Sequence, residues 1–173
     1  MLVYTDGSCW PNNGKGSGGW AYAHKNPDWT YTMKFGHIPA PTTNNVAELR
    51  AVINAITDHS DAEIQSDSQY VVKGFNQWMK SWIKKGWSKK GGLKNVELWK
   101  NLAELKAFFT GKLIWVRGHN GTFLNDLADA GANYARKTKK TSSMKFTKEE
   151  ADKFIKDWCD NLGCFVIEER IGE

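Results

Sequence analysis

Acidic residues that could bind a metal ion stand near the ends of the predicted strands. Asp6 follows the apolar stretch 2–5, and Asp67 follows the stretch 63–66. Glu48 lies one to two turns into a predicted helix. Each has an ordinary alternative, because an aspartate before a glycine commonly forms a turn and a helical glutamate is commonly solvated. Their chemistry therefore depends on whether the fold brings them together.

A fourth carboxylate comes from the helix after the last predicted strand. Asp126 and Asp129 are both early acids that the helix dipole favours, and position alone does not choose between them. Four carboxylates at one end of a sheet would repel one another unless cations neutralised them. Oxygen ligands without cysteine favour Mg²⁺ or Mn²⁺. Two such ions about 3.5 to 4 Å apart can activate a water and stabilise the leaving oxygen of a phosphodiester.

Hydrophobic patterning predicts an α/β fold with five strands, at residues 2–8, 20–23, 29–35, 63–66 and 113–116. The first three are expected to form an antiparallel meander. The later alternation of strand and helix implies parallel additions, and the carboxyl ends of parallel strands are where ligands bind. In the third strand, period two places Trp29 on one face with Tyr31, Met33 and Phe35, and Pro39 and Pro41 are expected to end it.

Three helices are predicted to hold this sheet, after capping residues at 42–45, after Asp67, and around 96–109, and a fourth begins near Asn125. Trp78 and Trp82 are four residues apart on one helix face, so we expect both to pack in a core. The glycine-rich loop 9–19 is either a plain hairpin loop or a ligand-contacting one.

The charge is unevenly distributed. Residues 1–146 hold 20 Lys and Arg against 11 Asp and Glu, or +9, whereas residues 147–173 hold 4 against 8, or −4. The segment 84–92 carries four lysines, Trp87 and no acid, which suits a phosphate-contacting protrusion. A basic body favours a polyanionic partner.

The length of 173 residues predicts one domain, at 1–137, followed by a basic polar linker at 137–143 and a C-terminal helix with a short tail up to residue 173. Residues 147–150 match a capping box, the helix is expected to end near Gly163, and 164–167 could add an edge strand. The acidic tail is expected either to dock on the body or to bind a protein partner.

The chain has neither a long apolar span nor a secretory leader pattern, so we expect a cytoplasmic protein that does not enter membranes. Cys9, Cys159 and Cys164 form no CxxC motif and are expected to be free thiols in a reducing compartment.

The ordered motifs resemble a type 1 ribonuclease H. They are residues 4–9 (YTDGSC), 42–45 (TTNN) with 47–49 (AEL), 66–71 (SDSQYV), 85–87 (KGW), 95–96 with 98–99, and 118–119 (GH) followed by Asn125 and Asp129. The resemblance covers residues 1–137 and implies a ribonuclease H-like fold. It implies a monomer that hydrolyses the RNA strand of an RNA/DNA hybrid with two Mg²⁺ ions, Mn²⁺ being an alternative, and leaves 5′-phosphate and 3′-hydroxyl ends.

The resemblance also assigns residues. The implied metal ligands are Asp6, Glu48, Asp67 and Asp129, and His119 would assist proton transfer or product departure. The implied RNA contacts are Asn12, Asn44, Ser68 and Gln69. The remaining implied substrate-binding residues are Thr43, Asn45 and Trp82 on the DNA side, Lys84, Lys85, Trp87, Lys89 and Lys90 in the protrusion, and Asn125. The loop 10–19 is longer than the family usually has, which leaves the alignment of Asn12 open by one residue.

Two alternatives share part of this pattern. An integrase or junction resolvase would cluster carboxylates on a similar sheet, but the Asn44–Asn45 pair, Ser68–Gln69 and the protrusion argue against it. A hybrid-binding module without catalysis would have lost some of the carboxylates, and all of them are present here.

Overall fold

The fold is built on one mixed sheet whose strands are ordered β5-β4-β1-β2-β3-β6. The computed structural model describes residues 1–118 and 122–159. Its strands are β1 (Leu2–Trp10), β2 (Gly16–Lys25), β3 (Tyr31–Thr42), β4 (Glu63–Ser66), β5 (Lys112–Trp115) and β6 (Ser142–Phe146). Strands β1 to β3 form the expected antiparallel meander, and β4 and β5 add in parallel beside β1. The ribonuclease H-like architecture is confirmed, with six strands in place of the expected five.

Helices cover both faces of this sheet. They are α1 (Asn44–Asp58), α2 (Gln69–Lys73), α3 (Met79–Lys84), α4 (Val96–Lys106), α5 (Phe123–Thr138) and α6 (Lys148–Trp158). No helix in the described residues is both long and apolar enough to cross a bilayer.

Alternating side chains of the strands feed two separate cores. Val3 and Tyr22 pack toward α1 and α4, whereas their neighbours Tyr4 and Ala21 pack toward α5. Both cores are apolar because a central strand covered on its two faces must bury successive side chains in opposite directions. The carboxyl end of β1 is therefore fixed between α1 on one side and α5 on the other.

The third strand is longer than the sequence pattern predicts. Pro39 and Pro41 lie inside β3, which continues to Thr42. Beyond Phe35 this strand has no ladder with β6, so a proline there removes no hydrogen bond of that pair. Trp29 was expected in the strand, but it lies in the preceding turn with φ of 66° and is 71% exposed.

The sixth strand arises from residues that were expected to form a linker. Ser142 and Ser143 begin β6, which pairs antiparallel with β3 from Tyr31 to Phe35. The capping box at Thr147 and Glu150 is confirmed at the start of α6, which ends at Trp158 and not near Gly163. The proposed strand at 164–167 lies outside the described residues. The alternation of apolar residues in 142–146 is too short to distinguish an edge strand from a linker.

One further expectation needs correction. The predicted helix after Asp67 is interrupted by a π-helical segment, Gly74–Trp78, between α2 and α3. Cys9 is a buried free thiol, as expected. The expectation for Cys164 lies outside the described residues.

Candidate active site

Three carboxylates meet at the end of the sheet where β1 and β4 stop pairing. Asp6 lies within β1, Glu48 lies in α1, and Asp67 directly follows β4. One carboxylate oxygen from each lies within 4.8 Å of the others. Among the described residues, no other group of three His, Cys, Asp or Glu side chains is arranged to hold a metal ion.

The fourth carboxylate comes from α5. Asp129 lines the same cavity of about 290 Å³ as the other three carboxylates. Asp126 is fully buried and does not line this cavity. The geometry thus favours Asp129 where position in the sequence left the two aspartates equal.

Gly7 allows the strand and the helix to approach this closely. Its N–H donates to Asp6 Oδ1 at 2.9 Å and to Glu48 Oε1 at 3.1 Å. A Cβ atom built on Gly7 would lie 2.5 Å from the backbone nitrogen of Glu48, a distance that real Cβ atoms do not adopt. A glycine is therefore required at this contact between β1 and α1.

The electrostatics of the cavity disfavour ionised carboxylates in the metal-free protein. Burial is the main cause that raises the pKa of Asp6 well above its usual range, and the charges of Glu48, Asp67 and Asp129 add to it. Burial also raises the pKa of Glu48 to about 8, and the charge of Asp67 reinforces the effect. Bound cations would lower the pKa of both carboxyl groups, since a nearby positive charge favours the ionised form.

The donor set fits a hard divalent cation. Glu48 Oε2 is buried and has no hydrogen-bond partner among the described residues. A buried carboxylate oxygen without a partner is costly unless a ligand satisfies it. The three grouped side chains all offer carboxylate oxygens, which are ligands that Mg²⁺ and Mn²⁺ prefer.

Polar residues around the cavity are held by the starts of two helices. Asn44 and Ser68 line the cavity itself. Thr43 caps α1 through its side chain, which accepts from the Val46 N–H, and Ser68 caps α2 in the same way. Asn12 accepts the Asn44 N–H at 3.2 Å, which joins the loop after β1 to the start of α1. These residues are thus brought to the acidic cavity or next to it.

A second hollow, of about 590 Å³, lies beside α2 and α3. Three of its lining residues, Asn45, Trp82 and Lys89, are ones that the resemblance assigns to substrate binding. The others are Tyr70, Gln77, Trp78, Ser81, Gly92, Leu93, Lys94 and Asn95. The hydroxyl oxygen of Tyr70 accepts from Asn95 Nδ2 at 3.1 Å and from the Trp99 indole N–H at 3.0 Å. Tyr70 belongs to the motif at 66–71, but no contact was predicted for it from the sequence.

The two tryptophans of this hollow differ in burial. Trp82 is 9% exposed and contacts Trp99, which confirms the expected packing. Trp78 is 40% exposed at the rim, so its expected core position is wrong. The two rings are 6.0 Å apart, and Trp78 is the outer one because the shared face lies at the edge of the core.

The lysine-rich protrusion is well exposed. Lys84, Lys85, Lys89 and Lys90 are all exposed at the end of α3 and in the following loop. Trp87 is half-buried against the core that contains Val3 and Tyr22. Its backbone N–H donates to the Trp82 carbonyl at 2.7 Å. The tryptophan therefore anchors the loop that carries the lysines.

Two remaining candidates, Gln69 and Asn125, do not line the acidic cavity. Gln69 is exposed at the start of α2. Asn125 is 6% exposed in the first turn of α5. The helix was expected to begin near Asn125, but its N-cap residue is Thr122. His119 lies outside the described residues. Their roles stay predictions.

Comparisons with known proteins agree with this architecture. The family model described as RNase H matches residues 1–137. The ribonuclease H of Legionella pneumophila is 40% identical over 136 residues, which cover 76% of this chain and 92% of that protein. The ribonuclease H of Pseudoalteromonas atlantica is 41% identical over 138 residues, covering 77% and 88%.

Solved structures extend the likeness. LC9-RNase H1, described as a type 1 RNase H with the type 2 active-site motif, aligns with a TM-score of 0.75 and 25% identity over 96% of this chain and 83% of that one. LC11-RNase H1, solved in complex with an RNA/DNA hybrid, aligns with a TM-score of 0.58 at 23% identity over 80% and 97%, which supports the fold. This chain belongs to the ribonuclease H family, whose members degrade the RNA strand of RNA/DNA hybrids.

Proposed function

We propose that this chain is a metal-dependent endonuclease that hydrolyses the RNA strand of an RNA/DNA hybrid by a two-metal-ion mechanism. Its products would be a 5′-phosphate and a 3′-hydroxyl end. The observation that carries the proposal is the convergence of Asp6, Glu48, Asp67 and Asp129 on one cavity. The unpartnered Oε2 of Glu48 supports a cation there.

The four carboxylates would hold two Mg²⁺ ions, and Mn²⁺ could replace them. The ions would supply charge neutralisation at the phosphodiester and a more acidic water. Asp6 and Asp129 would help to hold the ion that activates the attacking water. Asp6, Glu48 and Asp67 would help to hold the ion that stabilises the leaving 3′ oxygen. His119 would assist proton transfer or product departure.

Selection of the RNA strand would come from polar side chains beside the cavity. Asn44 and Ser68 line it, and Asn12 is hydrogen-bonded to Asn44. These residues and Gln69 could bond the 2′-hydroxyl, which distinguishes RNA from DNA. Cleavage would then require ribose at the acidic cavity.

The DNA strand would follow the second hollow. Asn45 and the Trp82 indole line it, and Thr43 lies next to Asn45 at the start of α1. The lysines of the protrusion would contact phosphates farther along, since lysine clusters contribute most of the non-specific affinity for nucleic acid. We propose a monomer for this binding mode.

The test is cleavage of an end-labelled RNA annealed to DNA. The same RNA is assayed single-stranded and in an RNA duplex, each with Mg²⁺, with Mn²⁺ and with chelator. We expect cleavage of the hybrid alone, only with metal, and products that a kinase labels only after phosphatase treatment. Tight hybrid binding without cleavage in either metal would instead favour a binding module.

A further inference from the structure

A buried amide lies one turn after Asp129 on α5. Asn133 is 4% exposed, and its Nδ2 group donates to Asp129 Oδ2 at 3.4 Å and to the backbone carbonyl of Trp158 at 3.1 Å. Its Oδ1 atom accepts from the Ser8 hydroxyl at 2.7 Å. One side chain therefore touches the candidate metal ligand, the strand that bears Asp6, and the C-terminal helix.

The surrounding bonds fix which way this amide points. Arg136 Nε donates to Ser8 Oγ at 2.9 Å, so the hydroxyl hydrogen of Ser8 is directed to Asn133 Oδ1. The oxygen of the amide is thereby assigned to Ser8. Both hydrogens on Nδ2 are left for the carboxylate of Asp129 and the carbonyl of Trp158.

The contact with Trp158 completes the end of α6. The last carbonyls of a helix have no partner within the helix, and Asn133 supplies one of them with a donor. The same end is fixed by ring contacts, because Tyr134 packs edge-on against Trp158 at 4.8 Å and against Phe154 at 5.3 Å. The position of α6 thus determines the position of the Asn133 amide.

We propose that Asn133 is a positioning residue for Asp129, and that the C-terminal helix α6 holds it in place through the Trp158 carbonyl. The residues that follow the family match at 1–137 therefore contribute to the geometry of the active site. The inference rests on the proposed function, since it assigns Asn133 to the support of a metal-binding carboxylate. Partners of this kind orient metal ligands, and their loss commonly weakens metal binding about 10- to 100-fold.

The decisive measurement is Mn²⁺ binding by calorimetry to the full chain and to Asn133→Leu, which keeps the branching at Cγ and the number of heavy atoms and removes the donors. We expect binding weakened about tenfold. In cleavage assays, the Mg²⁺ concentration at half-maximal rate should rise while KM for the hybrid stays the same. Asn54→Leu is the matched control, because the Asn54 amide donates to the Arg50 carbonyl of its own helix. It should bind Mn²⁺ as the unaltered chain does.

A second arm tests whether the effect passes through Asp129. In the Asp129→Asn background, Asn133→Leu should weaken Mn²⁺ binding no further. Unchanged Mn²⁺ binding by Asn133→Leu, even with a lower melting temperature, would reduce Asn133 to a structural role and overturn the inference. An equal additional loss in the Asp129→Asn background would also overturn it.

A third arm keeps the test informative if Asn133→Leu does not fold. Trp158→Ala removes the ring that packs on Tyr134, so the end of α6 should loosen and Mn²⁺ binding should weaken in the same direction. Phe108→Ala is its control, since that ring is 78% exposed. Normal Mn²⁺ binding by Trp158→Ala would exclude the part assigned to α6. Failure of the unaltered chain to bind Mn²⁺ would instead refute the proposed function.

Discussion

The charge of Asp67 raises the pKa of both Asp6 and Glu48 in the cavity. Asp67→Asn keeps the shape and removes the charge. We expect hybrid cleavage to fall by about a hundredfold or more, because a metal ligand matters at least as much as its outer partners.

The same substitution should preserve folding and hybrid binding. With one charge fewer in the cavity, the melting temperature without metal should rise. Cleavage, fluorescence anisotropy of a labelled hybrid and thermal melting measure the three quantities. Full activity in Asp67→Asn would contradict the assignment of this carboxylate.

Gly7→Ala tests the close approach of β1 and α1. The added methyl group would lie 2.5 Å from the Glu48 nitrogen, so the strand and helix must separate. We expect a loss of about 1–3 kcal/mol in the free energy of unfolding, together with reduced cleavage. Urea denaturation measures the first quantity.

Gly14→Ala provides the comparison for that experiment. A Cβ at Gly14 meets nothing within 4 Å, although its φ of 84° strains any other residue. Cleavage should survive this change because the crowding is absent. Equal losses of activity in the two variants would contradict crowding at Glu48 as the cause of the Gly7→Ala effect.

For single residues, the sequence predicted which side chains form the candidate site better than it predicted how deeply each side chain is buried. Asp6 and Asp67 were predicted because each follows a recognisable strand, and Glu48 was predicted because it lies in a recognisable helix. The choice between Asp126 and Asp129 depends on how α5 is rotated about its axis, which the first turn of a helix does not reveal. Likewise, the burial of Trp78 depends on where the edge of a neighbouring core lies.

The protrusion after α3 is the element best suited to an electrostatic test. Changing Lys84, Lys85, Lys89 and Lys90 to Ala should weaken hybrid binding and flatten its dependence on salt, by about one unit of slope per lost phosphate contact. Binding measured between low and moderate salt gives the slope. An unchanged slope would mean that the protrusion does not meet the hybrid.

A matched control removes the same charge elsewhere. Lys145, Lys148, Lys153 and Lys156 lie on β6 and α6 and are exposed. Their replacement by Ala lowers the net charge equally. The salt slope should then change less than it does for the protrusion variant.

A histidine pair at the far ends of β2 and α1 should make stability depend on pH. His24 is 5% exposed, and its ring meets His59 edge-on at 4.8 Å, beside Tyr22 and Asp58. Burial is the main cause that lowers the pKa of both histidines. Near pH 6.5 the unfolded chain therefore binds more protons at these histidines than the folded chain does. The free energy of unfolding should fall as pH drops below that value.

His24→Gln should reduce this acid-dependent loss of stability. Urea denaturation at pH 7.5 and pH 5.5 measures the difference for each variant. His37→Gln, at a half-buried position in β3, serves as the control. An identical pH difference in the unaltered chain and His24→Gln would exclude His24 as a source.

Among the elements, β1 was predictable because Val3 and Tyr4 supply the apolar side chains that a central strand buries on both faces. The full length of β3 was not, since the effect of Pro39 and Pro41, which lack a backbone N–H, depends on whether a partner strand needs a donor at those positions. The π-helical segment was also missed. Its apolar spacing, from Val72 to Met79, does not differ enough from that of an α-helix to reveal one extra residue in a turn.

In the molecule as a whole, helix α6 stabilises the core that lies between the sheet and α5. Ala151, Phe154 and Ile155 of α6 are buried there with Phe35 and Phe146. Ile155→Ala should therefore lower the free energy of unfolding by about 2–5 kcal/mol. Lys153→Ala on the same helix is exposed and should have little effect. Equal stabilities of the two variants would show that α6 contributes nothing to the core.

The sequence predicted an appendage at 138–173 whose docking was open. The apolar side of α6 was visible, but its partner could not be named, because Phe35 and Tyr134 belong to elements distant in sequence. Whether these residues form a unit separate from 1–137 stays a prediction. Their contacts with α5 nevertheless join the sequence that follows the family match to the sheet.

The pairing of β6 with β3 also affects the risk of aggregation while the chain is being synthesised. Until β6 emerges from the ribosome, residues Tyr31 to Phe35 present an apolar strand with unpaired backbone groups, which another chain could join. The new edge is short and carries Ser142, Ser143 and Lys145, residues that discourage such pairing. Among the described residues β6 is the last strand to be made, and its pairing with β3 covers this edge of the sheet.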